Sequence, residues 1–315
     1  MGRCCLQRLL INMLAKRTLH EKPLILLLVG VLAVSTAAIL IKLALPHASP
    51  LAISFYRLLF SSIIAFVIYR SRRSRPEVSL SKSNIFLMIL GGVFLALHFT
   101  SWTCSLDMLS VSSSVIFVTT TPLWVGLLSP LIFKEKVPSK FYLGVGLAIL
   151  GGILIATLST GETNVNGQES SLLGLFLALV GAWMASAYFI IGKKLTGALP
   201  TELYVTTVYS VATIVLGLFL AVEQRGTLAV YQPATYGLLL LMAVIPQTLG
   251  HTSFNLALNA LSARTVSLSL LFEPVGSTIL AIFLLKEIPS AVEVAGGILI
   301  LTGLVVALKT SPNVG

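Results

Sequence analysis

Residues Leu270–Val306 read LLFEPVGSTILAIFLLKEIPSAVEVAGGILILTGLVV. The pattern is an apolar helix, a charged corner at Lys286-Glu287-Ile288-Pro289, and a second apolar helix rich in glycine. Glu273 and Pro274 sit side by side inside the first of these helices. A carboxylate and a helix breaker are both costly in so apolar a run, which marks the place as functional. The stretch has a partner at Val118–Ala156, VTTTPLWVGLLSPLIFKEKVPSKFYLGVGLAILGGILIA. Setting Glu135 against Glu287 gives an offset of 287 − 135 = 152 residues. The same offset pairs Pro122 with Pro274, Lys134 with Lys286, Gly144 with Gly296 and Gly151 with Gly303. One module occurs twice.

Working outward, the chain of 315 residues is 56% hydrophobic and only 10% charged, with a mean hydropathy of +0.98. Soluble domains carry about 25% charged residues, so the class is an all-α polytopic membrane protein. Ten apolar runs are each long enough to cross about 30 Å of hydrocarbon as a helix. They lie near 24–45, 50–69, 84–106, 111–133, 140–158, 171–192, 201–222, 234–256, 263–285 and 291–309. The reading is ten transmembrane helices in two five-helix repeats, 24–158 and 171–309. A basic leader (1–23), a polar linker (159–170) and a short tail (310–315) complete the chain, with Met13 an alternative start.

The net charge of +10 sits in short loops between apolar spans, so it reads as membrane orientation and excludes nucleic acid as a partner. With the N-terminus cytoplasmic, one side collects Arg70, Arg72, Arg73, Arg75, Lys82, Lys134, Lys136, Lys140, Lys193, Lys194, Arg264 and Lys309. The other keeps only Arg225 and Lys286. Both termini are therefore expected in the cytoplasm. Five helices per half is an odd number, so the second half enters the membrane inverted. Inverted repeats place a site near the midplane between the halves.

Several polar residues lie where such a site would be. Arg57 is two turns into the second span and needs a buried partner or water; Lys42 either lines the same cavity or snorkels to the surface. Glu273 is a candidate proton carrier, with a structural role at the Pro274 bend as the alternative; its repeat counterpart is Thr121. His98 and His251 lie one residue apart in the repeat alignment, since 98 + 152 = 250. Either could titrate, bind a carboxylate or bridge helices. Trp102 in the third span, and Gln247 and Asn255 in the eighth, extend the candidate cavity. Pro122 and Pro274 mark bends, and the pairs Gly91-Gly92, Gly151-Gly152 and Gly296-Gly297 mark close helix packing. Cys4, Cys5 and Cys104 form no framework or metal cluster. No nucleotide-loop, metalloprotease or hydrolase motif occurs. The expectation is no catalytic residue, metal or cofactor.

Residues 24–309 resemble the EamA family of the drug/metabolite transporter superfamily. The resemblance is carried by AILIKLAL and SFYRLLF around Lys42 and Arg57, and by the doubled helix–Pro–helix–Glu–glycine-rich-helix pattern. It implies ten helices, cytoplasmic termini, an inverted repeat and export or exchange of small metabolites such as amino acids. The segment HFTSWTCSLDML departs from the general family pattern and is where substrate choice is expected to reside. The leading expectation is a secondary carrier in a bacterial or archaeal inner membrane. Its partners are a small-molecule substrate and the bilayer, with a homodimer left open. The alternatives are a channel-like facilitator, a drug, nucleobase or sugar-phosphate carrier, and, from other classes, a membrane scaffold or an intramembrane enzyme.

Overall fold

The computed structural model describes residues 22–71, 80–133, 139–158, 171–225 and 229–309. The leader, the Lys134-Glu135 corner, the linker and the tail lie outside the described residues.

The described residues are mostly helical. The first half holds α1 (Pro23–Val34), α2 (Ala37–Ala44), α3 (Pro50–Arg70), α4 (Lys82–Met108), α5 (Val111–Val118), α6 (Thr121–Phe133) and α7 (Ser139–Leu158). The second holds α8 (Leu172–Leu195), α9 (Thr201–Glu223), α10 (Pro233–Met242), a π-helical segment (Ala243–His251) and α11 (Thr252–Ala257). It continues through α12 (Ala263–Ser269), a 3-10 turn (Leu270–Phe272), α13 (Glu273–Leu284) and α14 (Ala291–Lys309). Several of these share one span. Among the described residues nine spans are long and apolar enough to cross a bilayer, and Ala291–Ala307 is a shorter apolar helix in the tenth position.

Serine starts many of the helices. Ser49, Ser81, Ser110, Ser171 and Ser262 each accept the backbone N–H three residues on, filling one of the donors that a helix start leaves open. The breaks inside spans are covered by the same chemistry. At the α5–α6 break, Thr119, Thr120 and Thr121 donate their hydroxyls back to the carbonyls of Val115, Phe117 and Val118 at 2.7–2.8 Å. At the α1–α2 break, Ser35 and Thr36 do so to Val31 and Ala33. Hydroxyls at a break in hydrocarbon must bond within the protein, and the carbonyls of Val31, Ala33, Val115 and Phe117 accept them beside a backbone N–H.

The inverted repeat follows from one junction. α7 and α14 pack closely along their length. A Cβ on Gly144 would fall 2.3 Å from the carbonyl oxygen of Gly303, and one on Gly151 would fall 2.6 Å from that of Gly296. Early α7 thus meets late α14, so the helices run antiparallel. They are repeat equivalents, Gly144 with Gly296 and Gly151 with Gly303. Exchanging the repeats turns the first contact into the second. A contact that maps onto itself this way has a two-fold axis through it, and the halves are inverted. Other pairings obey the same exchange: α1 packs on the π-helical segment as α8 packs on α4, and α5 on α13 as α6 on α12.

One end of the bundle is clasped by carboxylates. Lys286 takes a left-handed conformation (φ +59°) that ends α13 and turns the chain. Beyond it Glu287 accepts the backbone N–H of Val111, the first residue of α5. Glu293 accepts the Ser110 hydroxyl, the Ser113 hydroxyl at 2.6 Å and its own N-terminal Ser290 N–H at 2.7 Å. Ser290 and Glu293 form a capping box, the Glu293 N–H returning to Ser290 Oγ. Both carboxylates are buried. Burial pushes the Glu287 carboxyl up, while Lys42 and the Val111 N–H pull it back.

Glu293→Ala removes the acceptor of three donors at once. At about 1 kcal/mol or more for each donor left unpaired, it is expected to lower stability by about 3 kcal/mol. Thermal unfolding in detergent checks this, with Glu293→Gln losing less because it keeps an acceptor oxygen. Equal midpoints for the alanine variant and the parent would remove the clasp as a stabilising feature.

Candidate functional site

The broken spans converge. α6 begins at Thr121 and α13 at Glu273, each followed at once by proline in the first helical turn, where its missing N–H costs least. Pro122 and Pro274 therefore stand where the spans Val111–Leu128 and Thr265–Leu284 are interrupted, each at the start of the helix that follows. Thr121 and Glu273, equivalents in the repeat, both line one cavity of about 30 Å³. Val34, His98, Trp102, Val118, Thr119, Ala185, Phe189, His251 and Leu270 complete its wall. That volume admits roughly two waters, and metabolite pockets run to several hundred Å³. The cavity is closed down around no more than water.

Both histidines reach it. The His98 and His251 ring centres are 6.2 Å apart. His98 Nδ1–H donates to the Gly181 carbonyl at 2.9 Å. Trp102 stacks on His98 with centroids 6.0 Å apart and planes 15° apart. Trp102 Nε1 and His251 Nδ1 are buried with no hydrogen-bond partner.

Arg57 lies behind this wall, 1% exposed. Its Nε donates to Gln247 Oε1 at 2.9 Å, and its guanidinium carbon sits 4.0 Å over the Phe99 ring. Phe99 in turn meets His251 edge-on at 5.2 Å. Both terminal nitrogens of Arg57, and Gln247 Nε2, have no hydrogen-bond partner. Arg57 and Glu273 interact through charge, and Tyr209 stands beside Arg57.

Gln247 and His251 are presented by the π-helical segment, which contains Pro246. The N-caps date the irregularity: 232 − 81 = 151 between Gln232 and Ser81, but 262 − 110 = 152 between Ser262 and Ser110. The second half holds one residue more between these caps, and the wide turns of a π-helix absorb it, a feature often found at functional sites. Its carbonyls have further donors: Ala243 O accepts Ser61 Oγ of α3 and Thr248 Oγ1 of the segment itself, and Gln247 O accepts the Tyr209 hydroxyl of α9.

Two candidates stand apart. Asn255 is buried, donating to the Tyr188 hydroxyl and the His251 carbonyl, with Oδ1 unpartnered. It braces the wall without lining it. Lys42 occupies the last turn of α2, where its charge interacts with Glu287 and Asp107 at the clasped end. The residues that sequence reading passed over are Phe99, Tyr209, Thr119, Phe189 and the clasp serines. Ser290-x-x-Glu293 is a capping-box signature legible in the sequence; Phe99 and Tyr209 carry no comparable signal. Among the described residues no cluster of three His, Cys, Asp or Glu side chains could hold a metal.

Known proteins place this geometry. A solved structure titled "Crystal structure of protein" superposes with a TM-score of 0.65 over 94% of this chain and all of its own, at 16% identity, and so shares the fold. A protein of Archaeoglobus fulgidus described as "Uncharacterized transporter" is 24% identical, the match covering 90% of this chain and 96% of that protein. A "Probable amino-acid metabolite efflux pump" of Salmonella typhimurium is 25% identical over 84% of this chain and 88% of its own. The family model of the EamA-like transporter family matches twice, at residues 21–157 and 172–309. A multi-pass chain with this doubled match belongs to the EamA-like transporter family.

Proposed function

We propose that this chain is a secondary carrier that exports small metabolites, amino acids foremost, by alternating access through the cavity between Thr121 and Glu273. One observation carries the reading: the interrupted spans of the two repeats bring Thr121 and Glu273, repeat equivalents, to one buried cavity between inverted halves, where His98 and His251 also stand. The Salmonella relative's description as an amino-acid metabolite efflux pump supports the substrate class. The distribution of Lys and Arg supports an inner-membrane protein with both termini in the cytoplasm.

Counterflow in proteoliposomes tests the carrier. Preloading with unlabelled amino acid is expected to drive transient accumulation of labelled amino acid. A facilitator of the channel type gives equilibration without overshoot, and that result would sink the carrier reading. Glu273 is the proton carrier in this scheme. Glu273→Gln keeps its shape and removes the ionisable group, so transport is expected to lose its dependence on pH. An unchanged pH profile would take the coupling role away from Glu273.

A further inference from the structure

Arg57 is an unfinished site. Its Nε is bonded to Gln247 and its face rests on Phe99, yet the two terminal nitrogens, the fork that matches a carboxylate, are buried and empty. Glu273 is the carboxylate whose charge reaches Arg57, but no hydrogen bond joins them. With Glu273 ionised the pair is neutral. A second carboxylate entering the buried site leaves one negative charge in excess, which a low-dielectric interior penalises heavily. One proton from bulk water on Glu273 removes the excess.

Resting on the carrier reading above, we propose that a substrate carboxylate binds the terminal nitrogens of Arg57 and replaces Glu273 as its counter-ion, while Glu273 takes up one proton. Acid and proton then occupy the site together. A phosphate dianion would bring two charges to one guanidinium, so the head group is a carboxylate. Facing Glu273 are His98 of α4 and His251 of the π-helical segment, with Arg57 of α3 and Tyr209 of α9 behind them. The lining residues from α1, α5, α6 and α8 bring no titratable group to the cavity.

Acetate is the minimal probe, because it is the head group without the rest of any substrate. Thermal unfolding of the purified full chain is read against sodium acetate, sodium phosphate, sodium chloride and acetamide at matched ionic strength. Acetate is expected to raise the midpoint above the other three. Its apparent affinity is expected to rise as pH is lowered, by at most about tenfold per unit, because one proton accompanies each acetate. Arg57→Gln is expected to lose at least about tenfold in affinity, and Arg57→Lys, which keeps the charge but not the fork, serves if the glutamine variant does not fold. Glu273→Gln is expected to bind acetate with a flat pH profile. Equal shifts with acetamide or chloride, or phosphate matching acetate, overturn the carboxylate assignment. Persistent pH dependence in Glu273→Gln overturns the exchange, since the histidines then carry the proton. Acetate binding is read without transport, so success here with no counterflow removes the carrier and leaves the binding site.

Discussion

Gly151→Val is expected to leave little or no monodisperse protein after size-exclusion chromatography, and Gly144→Val to do the same. At Gly151 even the first side-chain carbon would sit 2.6 Å from the Gly296 oxygen and 2.9 Å from Leu299 Cβ. At Gly144 it would sit 2.3 Å from the Gly303 oxygen and 2.4 Å from the Ala307 nitrogen. The two oxygens and the Ala307 nitrogen are backbone and Leu299 Cβ is fixed to it, so none can swing aside and the helices must part along a closely packed seam. Overpacking of this kind costs about 3 kcal/mol or more. Gly146 on the same helix is the control, since nothing lies within 4 Å of its position. There Gly146→Ala is expected to raise stability by about 0.5–1 kcal/mol through helix propensity. Equal behaviour of the Gly146 and Gly151 variants would refute the junction.

Arg57→Ala is expected to reduce counterflow of a carboxylate substrate by at least about a hundredfold, since each hydrogen bond to a charged group is worth about 1.5–3 kcal/mol. The corresponding amide is expected to lose far less, because it brings no anion to the fork. The variant also strands Gln247 Oε1, so a fall in thermal midpoint accompanies the loss. The ratio of acid to amide transport separates the two effects. Equal losses for both substrates would assign Arg57 to folding alone.

The spans were legible because apolar runs of bilayer length have no other solution in hydrocarbon. The repeat was legible because an offset of 152 recovered proline, lysine, glutamate and glycine together. The interruptions were not. Thr119-Thr120-Thr121 reads as ordinary polar packing until the structure shows each hydroxyl returning to a carbonyl. Pro122 and Pro274 were legible as irregular points in their spans, but not that each sits in the first turn of the helix that follows. The meeting of Arg57 with Gln247 spans 190 positions in the chain and depends on a π-helical segment that periodicity does not announce. His98 and His251 were near-equivalents on paper. Their 6.2 Å approach belongs to the three-dimensional packing of the two halves, not to the alignment.

The glycine seam between α7 and α14 has a bearing on the alternating-access cycle proposed above. Alternating access in an inverted repeat trades the shapes of the two halves, so that each adopts what the other had. Under that trade the Gly144–Gly303 contact becomes Gly296–Gly151, which is already present. The seam is then the same in both faces of the carrier and contributes equally to each. It works as a fulcrum: it holds the molecule up without tilting the balance. Substitutions along it should change how much carrier survives in the membrane and leave untouched the proportion that faces each way.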